Sequence, residues 1–132
     1  MRVPKTTYTQ ASTIIPTTSP CINITAQNVT FNGNGFDIVN STFTGRVIYS
    51  NSLNTTIKNA NISVASGTGI EFFGANNGTI YSNTIKGVHF GVYLNGSLSN
   101  GILSNVISTN GDSNNYGVYF FNSSFGNVNL NN

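Results

Sequence analysis

Four segments of the chain carry large apolar residues at the same intervals, and this recurrence constrains the fold more tightly than any single motif. Val47, Ile70, Val92 and Val118 open the segments, and ten residues after each stands Ile57, Ile80, Ile102 or Val128. Two residues after the first column come Tyr49, Phe72, Leu94 and Phe120; five after the second come Ile62, Ile85 and Ile107. A spacing kept through consecutive segments marks a stacked solenoid, because each coil must set its side chains over those of the coil beneath, while insertions collect at one rim. Measured from the second column, with Val29 as its first member, the coils span 28, 23, 22 and 26 residues. The variation falls between the last strand of one coil and the first strand of the next. The apolar runs are short, rich in β-branched residues and bounded by Asn, Gly and Ser, without sustained helical periodicity. The expectation is an all-β chain: a right-handed parallel β-helix of four to five coils over residues 21–132, its C-terminal coil incomplete. Pro4, Pro16 and Pro20 exclude a continuous helix before it, so residues 1–20 read as an extended lead-in, linker or N-terminal cap.

Three residues past the second column stand Ala60, Asn83, Asn105 and Asn131, and Asn32 bears the same relation to Val29. Asn suits a sharp bend between two strands, since it tolerates left-handed backbone and its amide bonds neighbouring groups. Stacked bends would align Asn32, Asn83, Asn105 and Asn131 into a hydrogen-bonded ladder. Gly69, Gly91 and Gly117 precede the first column in three coils; Arg46 interrupts that series. The competing arrangement is an antiparallel meander, for which Asn77-Gly78, Asn95-Gly96 and Asn110-Gly111 are valid hairpin signals. Hairpins, however, have no reason to keep intervals of ten and then five.

The pattern Gly-[Ile/Val]-x-[Phe/Leu] followed by Thr-Ile-x-x-Asn-x-Ile, present as Gly69 to Phe72 and Thr79 to Ile85, resembles the parallel β-helix repeats of pectin-lyase-like proteins. Among these it is most similar to the carbohydrate-binding and sugar-hydrolysis repeats of archaeal surface proteins and of the periplasmic copper-enzyme maturation family. The stretch from Cys21 to Phe36 is similar to the first coil of such proteins. The resemblance implies that Val92 to Leu94 lie on a first sheet, Ile102 on a second, Asn105 at the next bend and Ile107 on a third. It also implies that any active surface is the outer face of the first sheet with the loops before it, where enzymes of the family use several Asp, Arg, Lys or His residues, often with calcium. The repeats serve lyases, hydrolases, epimerases, adhesins and layer proteins alike, so they speak for fold and not for activity.

Charged residues make up 6% of the chain, and solubility rests instead on 23 Asn with many Ser and Thr. Arg2, Lys5, Arg46, Lys58 and Lys86 are scattered against Asp37, Glu71 and Asp112, which argues against a nucleic-acid surface. No apolar run reaches the ~18 residues a membrane-spanning helix needs. Cys21 is the only cysteine, so neither an intramolecular disulfide nor a Cys-based zinc site follows from the sequence. Eight N-x-[Ser/Thr] motifs occur, at Asn23, Asn28, Asn40, Asn54, Asn61, Asn77, Asn95 and Asn122, where random placement would give about five. An Asn/Ser/Thr surface points to an extracellular or cell-surface location.

On the first sheet the outward column is expected to be Ile48, Glu71, Tyr93 and Tyr119, and the rim loops supply His89, Asp112, Asn114 and Asn115. Glycoside hydrolysis needs two carboxylates at a controlled separation, and a uronate lyase needs a base with neutralising cations. No coil supplies either, and Asp37 is placed in the first variable loop, away from Glu71. No catalytic residue, metal site or cofactor is assigned. Tyr93, Tyr119, Glu71, His89 and Asp112 are candidates for contact with a polysaccharide or glycan. Tyr93 and Tyr119 would stand about 4.8 Å apart, either as a sugar platform or as a stack that steadies adjacent coils. His89 and Asp112 are equally readable as a solvated loop histidine and a turn residue. Phe73, Phe121 and Phe125 add apolar area beyond the first strand, a patch for a partner chain. Three functions stay open: a structural or adhesive module that self-associates through open β-helix ends, a carbohydrate-binding module, and part of a polysaccharide-active enzyme.

Overall fold

A computed structural model describes residues 4–111, 113–124, 126–129 and 131–132. These residues form fifteen strands and no helix. After β1 (Thr6–Thr9) the strands run in threes: β2 (Ile22–Ile24), β3 (Val29–Asn32) and β4 (Asp37–Asn40); β5 (Arg46–Ser50), β6 (Thr56–Lys58) and β7 (Asn61–Val64); β8 (Thr68–Phe73), β9 (Thr79–Tyr81) and β10 (Thr84–Val88); β11 (Phe90–Asn95), β12 (Gly101–Leu103) and β13 (Val106–Thr109); and finally β14 (Tyr116–Phe121) and β15 (Val128–Asn129). The first member of each group joins one sheet, in the order β14-β11-β8-β5-β2; the second members and β1 form another, β1-β3-β6-β9-β12-β15; the third members form β13-β10-β7-β4. All the pairings are parallel, as a coil that always turns the same way requires. The meander is thereby excluded.

The core follows from the repeating columns. Ile57, Ile80 and Ile102 pair level with one another on the second sheet and are fully buried. Ile38, Ile62 and Ile85 do the same on the third, and Ile48, Ile70 and Val92 on the first. Each such side chain contributes about 1.5–3 kcal/mol by leaving water, so a wall renewed at every coil is what offsets the chain entropy of folding.

Two registers differ from the sequence expectation. In the second complete coil Ile48, not Val47, pairs with Ile70, and Tyr49 and Ser50 lie opposite Glu71 and Phe72. Val47 thereby falls at the level of Gly69, in the glycine series that Arg46 was expected to interrupt, and the interval from Ile48 to Ile57 is nine residues instead of ten. Both Val47 and Ile48 are fully buried, so hydrophobicity could not choose between them. In the coil before, Phe31 pairs with Ile57, while Val29 lies beside Thr6 of β1. Residues 6–9, read from sequence as a lead-in, are thus the outermost strand of the second sheet, and Ile14 bridges to Ile38 of the third.

The bend from second to third sheet contains the expected asparagine ladder, with a different division of labour. Asn83 Nδ2 donates to Asn105 Oδ1 (3.0 Å) and to the Ile57 carbonyl (3.1 Å). Asn105 Nδ2 repeats this toward Asn131 Oδ1 (3.0 Å) and the Ile80 carbonyl (3.0 Å). The left-handed residue is the one before each rung: Asn59, Ser82 and Ser104 have φ of 52°, 54° and 54°. Asn32 is not a rung. It pairs with Lys58, two residues before the rung level at Ala60, and its Oδ1 accepts from the Asn34 backbone and from Asn59 Nδ2.

The bend from first to second sheet carries a second column, with left-handed backbone at Asn28, Asn54, Asn77 and Ser99. Two residues later Thr30, Thr56 and Thr79 pair in register. Three of the eight N-x-[Ser/Thr] motifs, at Asn28, Asn54 and Asn77, therefore coincide with a corner that wants Asn for its backbone and Thr for its strand.

Candidate functional site

The outer face of the first sheet presents two columns. The bends into β5, β8, β11 and β14 place Arg46, Thr68, Phe90 and Tyr116 level with one another. Three residues on, Tyr49, Glu71, Tyr93 and Tyr119 form the second column. Tyr49, not Ile48, is its first member; Ile48 points inward and is fully buried.

In the last two coils the columns merge into one aromatic surface. Tyr93 and Tyr119 lie 5.5 Å apart between ring centroids at 42°, Tyr116 and Tyr119 at 4.8 Å, and Phe90 and Tyr116 at 5.7 Å and nearly coplanar in orientation (6°). Phe90 also meets Tyr93 at 5.3 Å and Tyr119 at 5.4 Å. Phe90 stacks on Tyr93 (24°) and Tyr116 (6°), while the three pairs that involve Tyr119 are tilted, and both offset stacking and tilting suit the ring quadrupoles. All four keep part of their surface in water; Tyr116 is 41% exposed. His89 closes the edge of the cluster, its imidazole perpendicular to the Phe90 ring at 4.4 Å.

The two coils below are polar. Arg46 lies over the Tyr49 ring at 4.8 Å and reaches Glu71, with Nη1 3.6 Å from Oε2. Burial pushes the Glu71 carboxyl above the usual carboxylate range, opposed by the nearby charge of Arg46. Tyr93, directly level with Glu71, is pushed up as well, by burial first, then by the charges of Glu71 and Tyr119.

The structure therefore brings Tyr93, Tyr119 and Glu71 together and sets His89 at their margin. Asp112 and Phe125 lie outside the described residues. Asp37 is the first residue of β4, on the third sheet, where it accepts a hydrogen bond from Asn61 Nδ2, so it stands on a strand and not in a variable loop. Among the described residues Glu71 is thus the one carboxylate on the first-sheet face, and no group of three metal-ligating side chains occurs. Phe73 and Phe121 are about half exposed on either side of Asn95, at the far end of the same sheet.

Phe90 and Tyr116 were missed from the sequence, although the signal is present: Phe90-Gly91-Val92-Tyr93 and Tyr116-Gly117-Val118-Tyr119 are the same tetrapeptide pattern. Phe90 and Tyr93 share one face of the sheet, their rings 5.3 Å apart. A β-carbon on Gly91 would lie 2.4 Å from the Gly117 carbonyl oxygen and 2.3 Å from Ile107 Cγ2, so only a bare backbone passes there.

Three parallel sheets wound coil upon coil define a β-solenoid. The model of the right-handed β-helix region matches residues 7–132, and the chain belongs to that family. No curated protein and no solved structure matches the chain significantly.

Proposed function

We propose that this protein is a non-catalytic glycan-binding module of the cell surface, a rigid rod that adheres through the outer face of its first sheet. The observation that carries this reading is the cluster of Phe90, Tyr93, Tyr116 and Tyr119, four partly exposed rings on a β-sheet backbone. A pyranose presents an apolar face of C–H groups, which pack against the negative faces of aromatic rings, while its rim hydroxyls need acceptors and donors. Glu71 and His89 border the rings and supply them. The single carboxylate on this face among the described residues favours binding over hydrolysis, which calls for a pair. The charge-poor Asn, Ser and Thr surface supports an extracellular setting.

The test is binding to a glycan array with isothermal titration of the hits. Tyr93→Ala combined with Tyr119→Ala should weaken binding at least tenfold, while Tyr81→Ala, on the second sheet, should leave it unchanged. Equal binding by the double variant, or an array without hits, would overturn the proposal.

A further inference from the structure

We infer that the aromatic face selects uncharged sugars and rejects uronates, a statement that rests on the glycan-binding reading above and specifies its ligand. A uronate-binding surface needs a cation within reach of each sugar carboxylate, or acidic clusters that hold calcium to bridge it. Among the described residues neither stands beside these rings. Of the described cations, Lys58 lies on the second sheet over the Tyr81 ring, Lys86 on the third sheet, and Lys5 just before β1. Arg46 is the one cation on the first-sheet face, and it is committed to Glu71 and to the Tyr49 ring. It also sits two coils from the nearest rings, since Arg46 is level with Thr68 and Thr68 with Phe90.

The carboxylate that borders the platform is Glu71, mostly buried and partnered on its other side by Arg46. Glu71 pairs directly with Tyr93, one strand spacing or about 4.8 Å away along the stack. A hexose over Tyr93 can donate hydroxyl hydrogens to that carboxylate. A hexuronate in the same pose brings its own carboxylate toward Glu71, in a place where burial already disfavours charge, and gains no compensating ion pair. The same rings thus accept the alcohol at C6 and refuse the acid.

The discriminating experiment compares oligosaccharides that differ only in oxidation at C6: hexamers of glucose, mannose and galactose against those of glucuronate, mannuronate and galacturonate. Titrations are run on the full chain at pH 7.5 with EDTA, so that adventitious calcium cannot bridge carboxylates. In the series that binds, the neutral hexamer should bind at least tenfold more tightly than its uronate. Glu71→Gln should narrow that gap at least threefold by strengthening uronate binding, with Tyr93→Ala abolishing both. A uronate bound as tightly as its neutral partner would overturn the selectivity and leave the glycan-binding reading standing. An unchanged gap in Glu71→Gln would overturn the role assigned to that carboxylate. Binding of neither series would remove the underlying reading as well.

Discussion

Two vertical columns of this solenoid reverse the usual placement of polarity. At the bend from second to third sheet, Asn83 and Asn105 stand inside, 1% and 0% exposed, with their amides bonded along the stack. On the outer face of the first sheet, Phe90, Tyr93, Tyr116 and Tyr119 stand outside, with apolar rings facing water. The ladder arises from one Asn per coil and the outer surface from two aromatic residues per coil, and they serve opposite ends. The buried polar column specifies the fold, since each amide has one correct partner above and one below. The exposed aromatic column adds modestly to stability and leaves a surface for something else to cover.

The comparison is most easily broken at Asn105. Asn105→Ala strands the Asn83 backbone amide and the Ile80 carbonyl in the interior, at about 1–3 kcal/mol each, so a loss of about 3–5 kcal/mol is expected in urea unfolding. Asn32→Ala, at the neighbouring exposed corner, should cost less than about 1 kcal/mol in the same measurement, although sequence gives the two asparagines equal standing. Gly91→Ala forces the β11 and β14 backbones apart and should cost about 1–3 kcal/mol, with glycan binding lost as Phe90 is displaced from Tyr93. Tyr119→Ala removes three ring contacts at a half-exposed site and should cost only about 1 kcal/mol in unfolding. If Tyr119→Ala instead proved as damaging as Asn105→Ala, the outer rings would be part of the scaffold and the contrast would collapse.

The smallest effect concerns Glu71. Its folded pKa is raised, so the protonated form is favoured in the fold and the chain should lose stability as pH rises through that pKa. Glu71→Gln cannot titrate. Its stability relative to the parent should therefore be least favourable near pH 3 and become more favourable toward pH 7, as read from thermal midpoints across that range. A fall in the variant's stability relative to the parent with rising pH would mean that Arg46, rather than burial, governs this carboxyl.

Much of the candidate surface was legible from sequence because Glu71, Tyr93 and Tyr119 fall on an outward position once the columns are found. Phe90 and Tyr116 were not, because strict alternation along a strand assigns residues three apart to opposite faces. The backbone path through β11 nevertheless sets both rings on one face, and that path is not written in the alternation. The slip at Val47 has the same origin. Two adjacent β-branched residues satisfy either register, and only the stacking of Arg46 over Thr68 selects one.

The sequence by itself determined the solenoid, its three walls and the spacing of their apolar columns, since intervals within a coil are local and hydrophobicity repeats with them. The tertiary structure decided what lies above what. Neighbours across coils stand 22 to 26 residues apart, and whether two residues meet there depends on the corners between them. Those corners turned on left-handed Asn and Ser residues and on glycines too closely approached to carry a side chain. There a single torsion angle, invisible to hydrophobic pattern, sets which column each following side chain joins.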